Sequence, residues 1–245
     1  AFSPVENLLA SSAEDGSIRF WDASTGTPSG EPITGIPENQ RNLIFSPDGK
    51  LLASTGNVGG MIRYWDVTQR TQIAELSSPH EGYIEAVAFS SDGAMLASGG
   101  GGGLIVLSDP RTGRVLDSYR NHSKSLLSLA FSPDGERLYS IGLDDEIDIW
   151  NLQTGASKRV KPQTTINPGY AMSFSHDGEL LAVSTAGPFW SEFMLFESAT
   201  GEMLYEPLSG HDDAVTVMSF NPQATLIASG SLDQRLRLWD VVSGQ

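Results

Sequence analysis

Gly210-His211, Ala214-Val215-Thr216-Val217-Met218-Ser219-Phe220, Leu226-Ile227-Ala228-Ser229-Gly230, Asp233 and Leu236-Arg237-Leu238-Trp239-Asp240 form one stretch of three short alternating runs, each closed by a turn. A His opens it and a Trp-Asp closes it. The pattern recurs upstream. Phe2, Phe45, Phe89, Phe131, Phe174 and Phe220 follow one another at steps of 43, 44, 42, 43 and 46 residues. A second anchor keeps the same period: Trp21, Trp65, Ser108, Trp150, Phe196 and Trp239 lie 44, 43, 42, 46 and 43 apart. A fixed period of this length marks a repeat architecture. The units run over roughly 1–35, 36–79, 80–121, 122–164, 165–210 and 211–245.

Each unit has one grammar: strand, Ser-Pro-Asp-Gly-type turn, strand, tight turn, strand, Thr-Gly-type turn, strand. Pro presets φ and Gly accepts positive φ, so Pro-Asp-Gly suits a reversal. Apolar runs of this length with period-2 alternation read as β-strands, not helices. A four-stranded sheet cannot cover both its faces alone, whereas radial stacking of such sheets can. The expected fold is therefore all-β: a β-propeller of about six four-stranded antiparallel blades, read as a single domain over 1–245.

Composition narrows function. The chain has 245 residues, with 15 Lys+Arg against 30 Asp+Glu and a net charge of −15. Such an acidic surface opposes generic binding to nucleic acid or anionic lipid. Without Cys there is no disulfide, Cys-based zinc site or Cys nucleophile. No apolar run is long enough for a membrane-spanning helix and no signal-peptide pattern opens the chain, so a cytoplasmic setting is expected.

The combination Gly-His … Phe-Ser-Pro-Asp-Gly … Leu-Ala-Ser-Gly … Asp … Leu-Trp-Asp resembles the WD-repeat family over the whole chain. The resemblance implies a buried hydrogen-bonded tetrad of His, Ser or Thr, Asp and Trp in a complete unit. Carried over by position, the tetrads are His122, Ser140, Asp144 and Trp150 in the fourth unit, and His211, Ser229, Asp233 and Trp239 in the sixth. The first unit keeps a partial set, Ser11, Asp15 and Trp21. The second offers Thr55 and Trp65 but has Ile36 and Gly59 at the His and Asp positions. The third offers His80 and Ser98, with Gly102 and Ser108 replacing Asp and Trp. The fifth has Thr165 and Phe196 and a lengthened turn, Ala186–Ser191. These three blades are expected to rely on apolar packing alone.

The first unit holds only the tail of an innermost strand, and the sixth lacks an outer one. The first and last blades are thus expected to be incomplete, the chain to be a segment of a longer array, and association through those blades to follow.

No residue pattern suggests catalysis. The His–Asp pairs are explained by the tetrads. Asp144, Asp145, Glu146 and Asp148 do not follow a calcium-loop spacing, and Asp148 is expected to face outward between Ile147 and Ile149. His176 reads as a solvated turn residue, and Lys158-Arg159-Val160-Lys161 as a solvated outer strand. Gly99–Gly103 lacks the Lys-Ser/Thr of a phosphate loop. No metal or cofactor is expected. The expected function is a non-enzymatic scaffold that binds a protein or peptide through rim loops, with Phe189, Trp190 and Tyr170 as candidate contacts because exposed aromatics on rigid rims are frequent hot spots. The alternative is a sensory or autoinhibitory module of a larger NTPase, kinase or protease.

Overall fold

The computed structural model describes residues 1–37, 40–56, 59–77, 80, 82–144, 146–160, 168–185 and 192–244; for 168–170 and 185 it describes the backbone only. Among the described residues the regular elements are β-strands, apart from a single 3-10 turn at Gly101–Gly103. The strands fall into six antiparallel sheets, which belong to two compact units, Ala1–Asn121 and His122–Gln245.

In the first unit, β1 (Leu8–Ala13) and β2 (Ser17–Asp22) make the first sheet. Single bridges extend it on either side, Phe2 to Leu9, Ile18 to Ile33 and Trp21 to Pro28. The second sheet is β3 (Gln40–Phe45), β4 (Leu51–Gly56), β5 (Met61–Asp66) and β6 (Thr71–Ser77). The third is β7 (Ile84–Phe89), β8 (Leu96–Gly100), β9 (Leu104–Ser108) and β10 (Val115–Arg120).

In the second unit, β11 (Leu126–Phe131), β12 (Arg137–Gly142), β13 (Ile147–Asn151) and β14 (Ser157–Val160) form the fourth sheet. The fifth contains β15 (Pro168–Phe174), β16 (Leu180–Thr185) and β17 (Glu192–Glu197), and two short segments, β18 (Glu202–Met203) and β19 (Leu208–Ser209), both pair with β17. The sixth has three strands, β20 (Val215–Phe220), β21 (Leu226–Ser231) and β22 (Leu236–Asp240). Four-strand regularity thus holds in the second, third and fourth sheets, and the fifth divides its outer strand in two.

Register explains the two sequence anchors. Phe45 pairs with Leu52 and Leu52 with Trp65; Phe220 pairs with Ile227 and Ile227 with Trp239. Phe2, Leu9 and Trp21 form the same row in the first sheet. Directly paired residues share a face, so each row is an apolar stripe across a sheet. The neighbouring sheet supplies the other half of the core. Ile18 and Phe20 pack on Phe45, Leu52 and Trp65, and Ile62 and Tyr64 on Phe89, Leu96 and Val106. In the second unit Ile147 and Ile149 pack on Leu181, Val183, Met194 and Phe196. Phe193 and Leu195 likewise meet Ile227 and Trp239. Residues one and three before the Trp position therefore face the row of the following sheet. At about 25 cal/mol per Å² of apolar area these interfaces are the main stabilising term.

The turn after each first strand is built the same way in the second to fifth sheets. Ser46 Oγ lies 2.6 Å from Asp48 Oδ1 and accepts the Leu51 N–H at 2.9 Å. Gly49 follows at φ 70, a left-handed conformation that costs an L-residue about 1–2 kcal/mol. The sixth sheet departs: Asn221 Oδ1 accepts the N–H groups of Thr225 and Leu226, and Ala224 takes the left-handed position at φ 55.

Candidate functional site

The side chains with chemical potential converge where the loop before a sheet's first strand meets the turn between its second and third. In the fourth sheet His122 has no exposed side-chain surface. Its Nδ1 is 2.8 Å from Asp144 Oδ1 and its Nε2 2.8 Å from Ser140 Oγ. Asp144 Oδ2 accepts the Ser123 N–H at 2.7 Å. Burial pushes the Asp144 carboxyl up, but His122 and the Ser123 N–H outweigh it and hold it below the usual carboxylate range. Trp150 lies in β13, paired with Leu138 and half-buried. Gly142 belongs to this site too, although sequence reasoning missed it. A Cβ there would lie 2.5 Å from His122 Nδ1 and 2.7 Å from Asp144 Oδ1.

The sixth sheet joins all four of its residues. The Trp239 indole N–H donates to Ser229 Oγ at 2.7 Å, Ser229 Oγ is 2.7 Å from His211 Nε2, and His211 Nδ1 is 2.8 Å from Asp233 Oδ2. An indole can only donate. The Asp233 carboxylate can only accept, so His211 Nδ1 carries the proton toward it, and in the neutral imidazole Nε2 then accepts from the Ser229 hydroxyl. Burial pushes the Asp233 carboxyl up, yet the Asp212 N–H, His211 and the Arg235 N–H hold it well below its ordinary value.

The other sheets keep pieces. In the first, Trp21 donates to Ser11 Oγ at 2.8 Å, while Asp15 engages Arg19 at 2.6 Å and Ser17, which bring its pKa down to about 2. In the second, Trp65 donates to Ser54 Oγ at 2.9 Å. Thr55 instead accepts from the Asn42 backbone and side-chain N–H groups at 3.3 and 3.1 Å. The expected partner is thus displaced by one position. In the third, His80 Nε2 is 2.9 Å from Ser98 Oγ. Ser108, at the Trp position, has its Oγ 2.7 Å from the Tyr64 hydroxyl of the preceding sheet. The second and third sheets therefore hold buried polar pairs and do not rely on apolar packing alone.

The fifth sheet buries Phe196 in its core. Thr165, Phe189 and Trp190 lie outside the described residues, as does the side chain of Tyr170.

Asp148 requires a correction. It is 2% exposed, because β13 lies between β12 and β14 and the buried His122 ring stands over it, with Nε2 3.7 Å from Asp148 Oδ2. Arg159 Nε donates to Asp148 Oδ1 at 3.0 Å and Arg159 Nη1 lies 3.0 Å from Glu146 Oε2. Arg159 is thus matched by acids of its own sheet, while Ser157–Val160 keeps the exposure expected of a solvated outer strand. Exposed His176 does sit in a turn. Among the described residues no group of three His, Cys, Asp or Glu could hold a metal ion.

Repeated antiparallel sheets, two of which hold a buried His–Ser–Asp network that in the sixth also takes in its Trp, define a class of repeat protein. The sequence profile of the family "WD domain, G-beta repeat" matches residues 1–22, 31–66, 70–109, 113–151 and 201–240, well over half of the chain. The chain belongs to the WD-repeat family. It is 29% identical over 136 residues to Periodic tryptophan protein 2 of Arabidopsis thaliana, covering 55% of this chain and 15% of that protein. It is 31% identical over 144 residues to the WD repeat-containing protein 91 homolog of Dictyostelium discoideum, covering 56% and 18%. WD repeat-containing protein SL1-17 of Schistosoma mansoni is 30% identical over 141 residues, covering 58% and 45%. The matches therefore span less than half the length of these relatives. Membership of this family indicates a protein-interaction scaffold.

Proposed function

We propose that the chain is a non-catalytic platform for a protein or peptide partner, and that specificity resides in its rim loops. The supporting observation is how the His–Asp pairs are used. His122 and His211 have no exposed side-chain surface and are bonded on both ring nitrogens. A general base must come within hydrogen-bond reach of the proton it abstracts, and these imidazoles are already committed to holding strands together. The repeated residues thus serve the frame, leaving recognition to loops of unrelated sequence.

Phe189, Trp190 and Tyr170 are the proposed contacts, from their aromatic character and the added length of the loop that carries the first two. The test is selection of a displayed peptide against the chain, followed by calorimetric titration. Trp190→Ala should weaken the selected peptide by about 2 kcal/mol, roughly 30-fold, with the unfolding temperature unchanged. Turnover of model ester, phosphoester or glycoside substrates, lost on His211→Gln, would overturn the non-catalytic reading.

A further inference from the structure

The run of five glycines at 99–103 is a feature of the third sheet that the repeat pattern does not use. It carries the chain from β8 to β9 through the 3-10 turn. In the fourth and sixth sheets the matching turn holds an Asp against the histidine ring. Here the matching residue is Gly102, at φ 73, and both Gly101 and Gly102 are partly exposed. His80 is only 6% exposed. Its Nε2 lies 2.9 Å from Ser98 Oγ, as in the intact networks, whereas its Nδ1 has no hydrogen-bond partner among the described residues. A buried polar atom without a partner is costly, and a ligand that supplies one is favoured by that same cost.

The intact networks define the ligand. In both, Nδ1 faces an oxygen of a planar carboxylate, and the backbone N–H after the histidine donates to the same group. Charge agrees. Arg120 Nη1 donates to the Gly102 carbonyl at 2.6 Å, which fixes a guanidinium at the residue that would otherwise carry the acid. In a chain of net charge −15 this is a local reversal, and it favours an anion. The surroundings favour an acid carried on a peptide over a free one. Tyr83 is 53% exposed and stands beside the turn, since a Cβ added at Gly100 would lie 2.1 Å from Tyr83 O. Arg41 lies over the Tyr83 ring, 5.6 Å from its centroid, and is itself paired with Glu85 at 2.9 Å. An exposed aromatic braced in this way offers a contact to the residues flanking the acid.

We infer that the third sheet carries a carboxylate-binding site, in which an aspartate or glutamate side chain of a peptide partner enters over the glycine turn and accepts His80 Nδ1–H. The inference rests on the peptide-platform reading and uses a different part of the chain from Phe189, Trp190 and Tyr170. In the complex His80 holds the tautomer of His211, with Nδ1–H toward the acid and Nε2 accepting from the Ser98 hydroxyl. Arg120 supplies charge and Tyr83 supplies contact area.

The test follows the histidine ring resonances of the whole chain by NMR at constant ionic strength. The probes are acetate, an acetyl-Ala-Asp-Ala amide and its Asn counterpart. Acetate and the aspartyl peptide should move the His80 signals saturably in the millimolar range, and the Asn peptide should not. His122 and His211, whose Nδ1 atoms already face carboxylates, should stay still. Gly102→Asp, which supplies the acid within the chain, should abolish the response. Arg120→Gln changes an exposed side chain and should weaken both acidic probes several-fold, whereas Tyr83→Ala should weaken the peptide alone; circular dichroism checks each fold. A His80 that responds to neither acid overturns the site. So does an Asn peptide as effective as the Asp one, or unchanged affinity in Arg120→Gln. Binding of acetate without the peptide overturns the peptide assignment. The Trp190→Ala titration is independent of these results, so failure of this site and failure of the platform reading are told apart.

Discussion

His80 Nε2 lies 2.9 Å from Ser98 Oγ, while its buried Nδ1 has no partner among the described residues. In the fourth and sixth sheets an Asp carboxylate takes that nitrogen, and here the matching position is Gly102. Gly102→Asp should supply the acceptor. Two effects compete. Gly102 has φ 73, where an L-residue costs about 1–2 kcal/mol and Asp sits toward the low end. Satisfying a buried donor returns about 1–3 kcal/mol. The variant should therefore be more stable by about 1 kcal/mol in urea unfolding. Its His80 pKa, followed by NMR, should rise. Lower stability with an unmoved pKa would show that the carboxylate does not reach Nδ1.

The same histidine predicts an acid-sensitive third sheet. Burial brings the His80 pKa down to about 4 from an ordinary value of 6.5. The unfolded state therefore binds the proton first. The contribution to stability is complete above the unfolded value and is lost as pH falls from 6.5 toward 4. At about 1.36 kcal/mol per pKa unit the loss approaches roughly 3 kcal/mol. Unfolding measured at pH 7 and 4.5 should show a steeper loss for the native chain than for His80→Gln. Equal slopes would sink the assignment.

Asp144→Ala should cost about 1–3 kcal/mol, since it leaves a fully buried imidazole donor without its acceptor and releases the Ser123 N–H. Asp92→Ala should cost less. Asp92 bonds Ser90 Oγ at 2.6 Å and the Ala94 N–H at 2.9 Å in an exposed turn, where water replaces a lost partner. Chemical denaturation of the two variants ranks them directly. The reverse order would mean that the turns, not the networks, secure the repeats.

Ala224→Gly should stabilise the chain. Ala224 holds φ 55 at the position that Gly49, Gly93, Gly135 and Gly178 occupy in other turns, and its N–H makes the same bond back, here to Asn221 O at 3.0 Å. Removing the left-handed cost of about 1–2 kcal/mol outweighs the added chain entropy of Gly, about 0.5–1 kcal/mol. A small rise in unfolding temperature is expected. No rise would place the strain below the resolving power of the hydrogen-bonded turn.

Much of this was legible in the sequence because it depends on position within a strand. The Phe and Trp anchors are the two ends of one cross-strand row, so their period had to follow the sheets. Ser54 was missed for a local reason. Trp65 reaches back eleven positions to it, whereas Trp21 and Trp239 reach back ten to Ser11 and Ser229. One extra residue between β4 and β5 defeats counting, and only register corrects it. Asp148 was misread because alternation reports which face a residue takes, not whether another element covers that face. Contacts between sheets leave no trace in periodicity at all.

The Tyr64–Ser108 pair is such a contact, and it reverses the advice of the repeat pattern. Consensus reasoning would restore Trp at position 108, as in the fourth and sixth units. The space is already taken. Tyr64 reaches in from the second sheet, its hydroxyl 2.7 Å from Ser108 Oγ, and both side chains are buried. Burial, with Asp109 adding to it against the Ser108 bond, raises the Tyr64 pKa to about 12, so the hydroxyl keeps its proton and can serve as donor or acceptor. Ser108→Trp must displace the ring, and overpacking of this kind costs about 1–3 kcal/mol or more. Tyr64→Phe and Ser108→Ala should each cost about 1 kcal/mol. Their combination should cost less than the sum, because the second change removes a group already without its partner. A double-mutant cycle in urea measures the coupling. If Ser108→Trp proves as stable as the native chain, the tyrosine is merely filling a vacancy and has no specific role in the third sheet's missing tryptophan.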